Sequence, residues 1–261
     1  FVATNHDVIT QHPANGSDVT MGMVGASVEG GTSVEVNTQT LSFIMGYQPN
    51  QNWNIYAGPV YQTVEGIVQL RGQMYSVLNG YDLDSGVDGD WGFLVGAAYQ
   101  IPDIALKASI TYRSEIKHNI HAEENIALAN SALANMVPQL SAINAASTDF
   151  AFSTPQSVNI DLQTGIMENT IAFAHLRWVD WSNFTVRPNK FDLMSKMIGA
   201  MKPELNKKDG FNLIDYQKDQ ISATVGIGRK FSDQWAANVS VGYDTGAGNP
   251  VTTLGPIHGS W

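Results

Sequence analysis

Residues 220–244 read QISATVGIGRKFSDQWAANVSVGYD, in which two runs of alternating apolar and polar side chains flank a short turn. A period of two is typical of β-strands, so these residues predict a hairpin. The polar face of both arms carries mainly Ser, Thr, Asn and Gly, instead of the Lys and Glu that a soluble sheet would present to water. The apolar face of the second arm has an aromatic residue at each end, Trp235 and Tyr243. This combination is typical of strands that cross an outer membrane.

The composition agrees with a membrane β-protein. Of the 261 residues, 15% are charged and 10% are aromatic, and the chain has 24 Gly and no Cys. The charged fraction is low for a soluble domain. No stretch approaches the about 20 consecutive apolar residues that a spanning helix needs, so membrane residence would require a closed barrel. The net charge of −10 argues against nucleic acid as a partner, and we expect no cofactor.

The same alternation predicts eight strands in the chain, whereas residues 1–33 are polar and Gly-rich and predict loop or barrel rim. Short turns alternate with long connections: the turns lie at residues 49–52, 102–103, 168–169 and 231–234, and the connections at 71–90, 118–154 and 182–216. Outer-membrane barrels have short periplasmic turns and long extracellular loops, whereas a Greek-key sandwich has no reason to alternate them. We therefore predict an all-β fold, an antiparallel up-and-down transmembrane β-barrel that crosses the outer membrane several times. Pro59 predicts a kink or bulge within its strand.

Charged side chains occupy one face of several predicted strands. Such charges are tolerated when they face a water-filled or plugged lumen but not when they face lipid. The residues that we assign to the lumen are Lys107, Arg113, Glu115, His175 and Arg177. Because an unpaired charge at membrane depth is costly, we expect Arg113 and Glu115 to join a hydrogen-bonded network.

Several motifs resemble those of the FadL-type long-chain fatty-acid and hydrocarbon transporters, from about residue 34 onward. The first are Trp91-Gly92-Phe93, followed by Gly96-Ala97 and Tyr99, and then Ile110-Thr111-Tyr112-Arg113-Ser114-Glu115-Ile116-Lys117. Further motifs follow in the order of that family: Thr154-Pro155-Gln156-Ser157, the run from Trp178 to Phe184 with Trp181-Ser182, and Lys208-Asp209-Gly210-Phe211. The Thr-Tyr-Arg-Ser-Glu segment is the most specific part of the resemblance.

The resemblance implies a fourteen-stranded barrel, plugged by an N-terminal hatch, that takes up apolar molecules outside and releases them sideways through the wall. The hatch, with its Asn-Pro-Ala motif, and the last strands have no counterpart in this sequence. We therefore expect residues 1–261 to form one partial transmembrane barrel domain. The expected function is passive uptake of hydrophobic small molecules, with long-chain fatty acids ahead of aromatic hydrocarbons. The alternatives are an aromatic-hydrocarbon channel and a general porin or adhesin-type barrel.

Two of the long connections carry apolar clusters that could bind such a ligand. Their members are Met74, Tyr75, Val77 and Leu78 in one connection, and Leu133, Met136, Val137 and Leu140 in the other. Exposed apolar clusters pack on one another or on a ligand. The resemblance implies that these loops form the first landing groove, and mutual packing is the alternative. Residues 123–143 also predict a helix, interrupted by Pro138.

A basic segment at residues 187–208 predicts an amphipathic helix. It holds six of the 14 basic residues: Arg187, Lys190, Lys196, Lys202, Lys207 and Lys208. The apolar stripe at spacings of three and four is Phe191, Met194, Met197, Ile198 and Met201. The helix either packs on the rim of its own barrel or contacts the phosphates of lipopolysaccharide or the carboxylates of fatty acids. The expected partners are thus a hydrophobic ligand, outer membrane lipid and lipopolysaccharide, around a monomeric barrel.

An acidic segment at residues 82–90 is a candidate calcium loop, because carboxylates recur there at near-alternate positions: Asp82, Asp84, Asp88 and Asp90. Phe93 stands where such a loop would have its bidentate Glu, and a solvated acidic loop is the alternative reading.

Catalytic motifs give no reason to expect an enzyme. The sequence has no Gly-x-Ser-x-Gly nucleophile motif. The nearest approach to a triad is His175 with Asp180 and Ser182. On a strand, His175 and Asp180 would point to opposite faces, because their numbers differ by an odd number.

Overall fold

The computed structural model describes residues 2–12, 19–20, 27–28 and 31–248, with side chains at 31–72 and 75–248. The strands are β1 (Val2–His12), β2 (Val19–Thr20), β3 (Ser27–Val28), β4 (Thr32–Ser42), β5 (Met45–Tyr47), β6 (Trp53–Leu70), β7 (Tyr81–Ile101), β8 (Leu106–Arg113), β9 (Ile116–His121), β10 (Glu123–Ile126), β11 (Asp149–Thr154), β12 (Ser157–Met167), β13 (Thr170–Val179), β14 (Thr185–Val186), β15 (Ile214–Asp215), β16 (Gln220–Lys230) and β17 (Ala236–Asp244). The α-helices are α1 (Pro138–Asn144) and α2 (Asn189–Met201). Short 3-10 turns lie at Gln73–Leu78, Pro102–Ile104, Ala132–Asn135, Trp181–Asn183 and Pro203–Leu205.

One curled antiparallel sheet dominates the described residues, with the strand order β1-β4-β6-β7-β8-β12-β13-β16-β17. The short strand β5 also pairs with β6, and β10 pairs with β7. Neighbours in the sheet follow one another along the chain, so the predicted all-β, up-and-down architecture is confirmed. All eight predicted strands lie in this sheet, and the turn at residues 168–169 joins β12 to β13 as predicted.

Apolar side chains line one face of the sheet in register across its strands. Residues that face each other in an antiparallel pair project to the same side, as Val225 and Val241 do. Ring pairs close this apolar band at two levels: Trp53 and Tyr99 have centroids 4.9 Å apart, and Tyr61 and Trp91 have centroids 5.0 Å apart. Trp53 and Tyr61 are separated by about 26 Å of strand, or about 20 Å along the membrane normal at a tilt of about 40°. That height is close to the ~25 Å apolar band of membrane barrels.

The strand β1 corrects the prediction of loop for residues 1–33, because Val2–His12 pairs with β4 from Val2 opposite Leu41 to His12 opposite Thr32. Its polar sequence hides the strand from an alternation argument. The parts of that prediction at residues 1, 13–18, 21–26 and 29–30 lie outside the described residues.

The first predicted long connection is also wrong in its extent, because β7 begins at Tyr81 and the connection covers only residues 71–80. The acidic segment 82–90 is therefore strand and not loop. Pairing with β6 continues through a bulge between Glu65 and Ile67. At the bulge, the backbone N–H of Gly66 donates to Ser85 Oγ at 2.7 Å, and Gly86 adopts a φ of 58°, which glycine tolerates at little cost.

The helix predicted over residues 123–143 is confined to Pro138–Asn144, and Glu123–Ile126 is the strand β10. Pro138 begins the helix instead of interrupting it, because its fixed φ suits the first helical position. The second predicted helix is confirmed as α2, Asn189–Met201.

Pro59 lies within an unbroken β6, and the predicted irregularity falls on the neighbouring strand. There, Phe43 and Ile44 separate β4 from β5. The backbone N–H of Phe43 donates to the carbonyl oxygen of Pro59 at 3.1 Å. The adjacent Gly58 permits this approach, since a Cβ built on it would lie 1.6 Å from the carbonyl oxygen of Phe43.

The segments at residues 71–83, 116–154 and 184–216, which include the start of β7 and the short strands, pack together at one end of the sheet, and we call this unit the cap. Its core is apolar and extends onto β4 and β6. The fully buried members include Leu70, Tyr81, Ile120, Ile126, Phe191, Met194 and Leu213. The opposite end of the sheet, which carries the short turns, is called the turn end. No helix in the described part of the chain is long and apolar enough to span a membrane.

Candidate functional site

The face of the sheet opposite the apolar band is polar, and we call it the inner face. Its side chains form four rows in register across β8, β12, β13 and β16, and three of the rows extend to β17. From the cap end, the first row is Arg113, Ser157, Val179 and Gln220, and the second is Thr111, Asn159, Arg177, Ser222 and Asp244. The third row is Ser109, Asp161, His175, Thr224 and Gly242, and the fourth is Lys107, Gln163, Phe173, Gly226 and Ser240.

Four of the five side chains that the sequence assigned to the lumen occupy these rows: Lys107, Arg113, His175 and Arg177. Glu115 lies beyond them, in the bend between β8 and β9, and is exposed. Among the described residues, the side chains of Arg113 and Glu115 make no hydrogen bond or ion pair. The network expected for them is therefore not seen within this part of the chain.

The third row holds a histidine–aspartate pair. His175 Nδ1 lies 2.7 Å from Asp161 Oδ1, and Ser109 Oγ donates to Asp161 Oδ2 at 3.1 Å. Asp180 instead accepts hydrogen bonds from Asn183 Nδ2 at 2.8 Å and from Gln156 Nε2 at 2.9 Å. His175, Asp180 and Ser182 therefore do not assemble as a catalytic triad.

A cavity of about 550 Å³ opens on the inner face near the turn end. The third and fourth rows supply part of its lining, and β6 and β7 supply amide side chains. The inner-face residues include Asn54, Gln100, Lys107, Gln163, Phe173 and His175. Trp53, Tyr99 and Leu162 also line it, so the cavity combines amide and charged side chains with a larger apolar surface.

Beyond the first row, at the cap end, five aromatic side chains gather, and we call them the aromatic cluster: Phe150, Phe152, Trp181, Phe184 and Tyr216. Trp181 lies 5.3 Å from Phe184 and 5.1 Å from Tyr216 between ring centroids. Phe184 also lies 5.8 Å from Tyr216 and 5.9 Å from Phe152. All five side chains are only partly buried. Burial within the cluster raises the pKa of the Tyr216 hydroxyl.

One contact holds the aromatic cluster to the main sheet, and a second lies within the pair of strands β9 and β11. The indole Nε1 of Trp181 donates to Gln220 Oε1 in the first row at 2.9 Å. Phe152 stacks on the imidazole of His118, with ring centroids 5.5 Å apart. The cluster therefore begins where the polar inner face ends.

The hairpin of β9 and β11, here the inner hairpin, lies against the inner face of β6 and β7. Ile116 packs on Val60 and Leu94. His118 is fully buried, and its Nδ1 lies 2.9 Å from Asp88 Oδ2. Because the inner hairpin lies on the inner face, Phe150 and Phe152 of β11 also lie over that face.

The apolar loop residues predicted to bind ligand mostly pack within the cap. Leu78 and Leu140 are 3% and 2% exposed in its core, and Tyr75, Val77, Leu133 and Val137 pack against that core. Met136 is 82% exposed, and the side chain of Met74 lies outside the described residues. Mutual packing thus accounts for most of these contacts, and ligand binding by the exposed members stays a prediction.

The basic segment lies on the outer side of the cap. Phe191 and Met194 of α2 are buried in the cap core, whereas Met201 is 68% exposed. Asp192 forms ion pairs with both Arg187 and Lys196. Three further lysines are exposed and form no ion pair within the described residues: Lys202, Lys207 and Lys208.

The candidate calcium ligands are spread along β7. Asp82 pairs with Arg71, and Asp88 with His118. The part of the chain that the structure describes holds no group of three or more His, Cys, Asp or Glu side chains that could bind a metal. The carboxylates therefore do not converge in the described structure.

Most of the aromatic cluster escaped the sequence analysis. Trp181 and Phe184 belong to a motif of the resemblance, but Phe150, Phe152 and Tyr216 were not singled out. A usable signal was present, because Phe150 and Phe152 stand two residues apart, as side chains on one face of a strand do.

Comparisons with known proteins agree with this geometry. The sequence model of a family described as "Outer membrane protein transport protein (OMPP1/FadL/TodX)" matches residues 15–253. The fold is similar to that of a Pseudomonas aeruginosa FadL homologue, with a TM-score of 0.53 and 17% identity over 85% of this chain and 52% of that one. No protein among curated sequences matches significantly.

Two transporters described as carrying toluene have the same fold. The Ralstonia pickettii toluene transporter TbuX gives a TM-score of 0.54 with 11% identity over 94% of this chain and 64% of that one. The Pseudomonas putida toluene transporter TodX gives 0.56 with 10% identity over 98% of this chain and 65% of that one. The chain thus spans between about half and two thirds of the length of these structures. With a family match over most of its residues and this barrel-wall fold, the chain belongs to the OMPP1/FadL/TodX family of outer membrane transport proteins.

Proposed function

We propose that the whole protein is a passive outer membrane transporter for hydrophobic small molecules, and that it is not an enzyme. The observation that carries this proposal is the aromatic cluster at the cap end of the inner face. Its half-buried rings offer an apolar surface at the point where a molecule entering from the cap would first meet the barrel wall. Aromatic side chains combine large contact area with low conformational entropy, which suits a surface that binds and releases apolar ligands.

Long-chain fatty acids are the first candidate substrate. The first two rows of the inner face carry Arg113 and Arg177 immediately below the aromatic cluster. An apolar surface beside fixed positive charge matches the two ends of an ionised fatty acid.

Aromatic hydrocarbons are the second candidate, and the cluster itself favours them. Phe184 touches three other rings of the cluster at 5.3 to 5.9 Å. The ring of an aromatic ligand could make the same edge-to-face and offset contacts with these side chains. TbuX and TodX, which share the fold, are described as toluene transporters.

Uptake by the full-length protein in lipid vesicles tests the proposal. The variant Phe184→Ala should lower uptake of hexadecanoic acid, hexadecane and toluene, because it removes the central ring of the cluster. Phe231→Ala is the matched control, since Phe231 is an exposed aromatic residue at the turn end. Phe184→Leu retains apolar area but not the ring, so a loss of toluene alone would favour the aromatic substrate. Equal passage of all three compounds and of hydrophilic solutes in every variant would support a general porin and defeat the proposal.

A further inference from the structure

We propose that the end of the basic segment is a docking surface for the phosphate groups of lipopolysaccharide, the anionic glycolipid that surrounds the cap in the outer leaflet. This surface, here the basic face, consists of five exposed side chains: Met201, Lys202, Leu205, Lys207 and Lys208. It lies on the outer side of the cap, apart from the inner face and the aromatic cluster. The inference is therefore independent of the ligand path and concerns how the protein is held in its membrane.

The basic segment is positively charged in a chain that is otherwise acidic. Residues 187–208 contain six basic residues and two acidic ones, Asp192 and Glu204, which gives a net charge of +4. Subtracting that +4 from the −10 of the whole chain leaves −14 for the other residues. Lipopolysaccharide is polyanionic, so most of this protein repels it, whereas the basic segment attracts it.

Three lysines of the basic face are not neutralised within the described part of the chain. Asp192 is already engaged by two cations of the segment. Glu204 is exposed and forms no ion pair with a described residue. The lysines that likewise form no ion pair there are Lys202, Lys207 and Lys208. Their ammonium groups are therefore available to an external anion, and a lysine binds phosphate as a compact point charge.

The chain after α2 folds back onto the helix, which fixes the position of the basic face. A Cβ built on Gly199 would lie 1.8 Å from the carbonyl oxygen of Lys207, so glycine permits this close approach. Asn206 makes the return with a φ of 51°, in the left-handed region that Asn tolerates better than most residues. Further on, the backbone N–H of Phe211 donates to Ser195 Oγ at 3.1 Å. The lysines thus stand on a packed element, which lowers the ordering entropy lost on binding.

Two apolar side chains among these lysines distinguish a lipid from a soluble polyanion. Met201 is 68% exposed and Leu205 is 47% exposed. Within the described residues of the cap, Met136 is the one other large apolar side chain with comparable exposure. A soluble polyanion would gain nothing from such side chains, whereas an anionic amphiphile can contact both them and the lysines.

The side of the membrane selects the lipid. Outer membrane barrels have their short turns at the periplasmic end, so the cap and its basic face lie on the external side. The anionic lipid of that leaflet is lipopolysaccharide. One lipopolysaccharide molecule carries several phosphates and can engage several lysines at once, whereas a fatty acid offers a single carboxylate.

The experiment measures lipid binding to the detergent-solubilised full-length protein with three probes: lipopolysaccharide with intact phosphates, the same lipopolysaccharide after dephosphorylation, and phosphatidylglycerol. The intact form should bind about tenfold or more tightly than the dephosphorylated form, as expected when charge-assisted contacts are lost. Raising the salt concentration should reduce this preference. Equal affinity for the two forms would overturn the inference. Phosphatidylglycerol bound as tightly as the intact form would overturn the assignment to lipopolysaccharide.

The double variant K207Q/K208Q should bring the affinities for the two forms to within about twofold of each other, because it removes two of the three free ammonium groups. Lys202 is retained, since a cation at the C-terminal end of α2 stabilises the helix. The matched control K117Q/K218Q removes the same charge from exposed lysines at the cap end, outside the basic segment, and should keep the preference. A preference retained in K207Q/K208Q, or lost equally in the control, would contradict the proposal.

Two further measurements separate the lipid from other ligands. The variant M201S/L205S should weaken both forms of lipopolysaccharide to the same extent, because it removes apolar area and no charge. Unaltered binding of both forms would show that the surface does not contact lipid. If K207Q/K208Q instead weakened hexadecanoate and spared lipopolysaccharide, the lysines would serve the transported ligand and the inference would fail. Hexadecane uptake should stay within about twofold in every variant, since these exposed side chains lie outside the ligand path.

Discussion

Val225 of β16 lies directly opposite Val241 of β17, and their side chains are 59% and 71% exposed. Two aliphatic side chains paired across a ladder would be expected to face a core if the sheet stood in water. Here they continue an exposed apolar band that crosses the sheet, whereas the residues next to them along each strand carry the polar rows. In an outer membrane protein, the face that bears this pair is the face that contacts lipid.

The first prediction tests this two-faced wall. Arginine at Val225 or Val239 should lower the free energy of unfolding by about 2–4 kcal/mol, because the charge would enter hydrocarbon near the midplane. Arginine at Thr224 or Ser240, each adjacent in sequence but on the inner face, should cost much less. Urea titration of the protein folded in vesicles provides the measurement. A similar loss from both pairs of sites would show that the faces are wrongly assigned.

A second prediction concerns a buried carboxylate that joins the cap to the sheet. Glu124 is 5% exposed and accepts hydrogen bonds from the Tyr81 hydroxyl at 3.0 Å and from the backbone N–H groups of Lys190 and Phe191 at 2.8 and 2.6 Å. It thereby holds the first turn of α2 against β7 and β10. Burial raises the pKa of the Glu124 carboxyl above its ordinary value, although the two backbone hydrogen bonds act in the opposite direction.

The sign of the pH effect follows from that raised pKa. The folded state binds this proton more tightly than the unfolded state, so the contribution of Glu124 to stability is fully present below the pKa of the unfolded chain. It declines as the pH rises from about 4.3, the ordinary value, through the folded pKa. Hydrogen exchange of the α2 amides, followed against pH, should show this decline in the unmodified protein. The variant Glu124→Gln should abolish it, and Glu123→Gln, at an exposed neighbour, should not. An unchanged profile in Glu124→Gln would refute the assignment.

Local alternation sufficed to predict eight strands of the membrane wall, because each of these strands has one lipid face and one polar face; the polar sequence of β1 escaped it. It failed at the cap end for a physical reason. In β9, every second residue is buried: Ile116, His118 and Ile120. The sequence hides this alternation, because His118 is a polar residue type and its burial depends on pairing with Asp88 of another strand. The start of β7 was taken for a loop because Tyr81 and Leu83 alternate with aspartates whose faces were taken to be solvated.

The sequence alone could not predict which side chains of the candidate site lie next to one another. The four lumenal residues that share the inner face were predicted from the polarity of single strands. That Arg113 and Arg177 flank the same strand depends on the registers of β8, β12 and β13, which alternation along one strand does not specify. The aromatic cluster likewise depends on the inward fold of the inner hairpin, a contact between segments distant in sequence.

The third prediction concerns the close approach beside Pro59. A Cβ on Gly58 would lie 1.6 Å from the carbonyl oxygen of Phe43, a backbone atom that cannot rotate away. Gly58→Ala should therefore push the break between β4 and β5 away from β6 and lower the free energy of unfolding by about 1–3 kcal/mol, the usual cost of overpacking. Gly66→Ala, in the same strand, is the control, since its nearest new neighbour is Ser85 Oγ at 3.7 Å. Stability equal to that of the control would mean that the break between β4 and β5 adapts without strain.

The fourth prediction separates packing from ligand binding in the cap. Leu140 is 2% exposed within the cap core, so Leu140→Ser should destabilise the cap by about 2–4 kcal/mol whatever the ligand. Met136 is 82% exposed, so Met136→Ser should leave the free energy of unfolding unchanged within about 0.5 kcal/mol. If Met136 is part of a landing groove, its replacement should weaken hexadecanoate and hexadecane to the same extent, because a methionine side chain contributes apolar area and no charge.

Binding of both ligands to the full-length protein at low and high salt provides the measurement, with Leu205→Ser as the matched control. Leu205 is also an exposed apolar residue of the cap, 47% exposed, but it lies in the connection after α2, away from the predicted groove residues. A parallel loss of both ligands in Met136→Ser alone, insensitive to salt, would support the groove. Unaltered binding in Met136→Ser would remove Met136 from the ligand path and leave the aromatic cluster as the first apolar surface that a ligand meets.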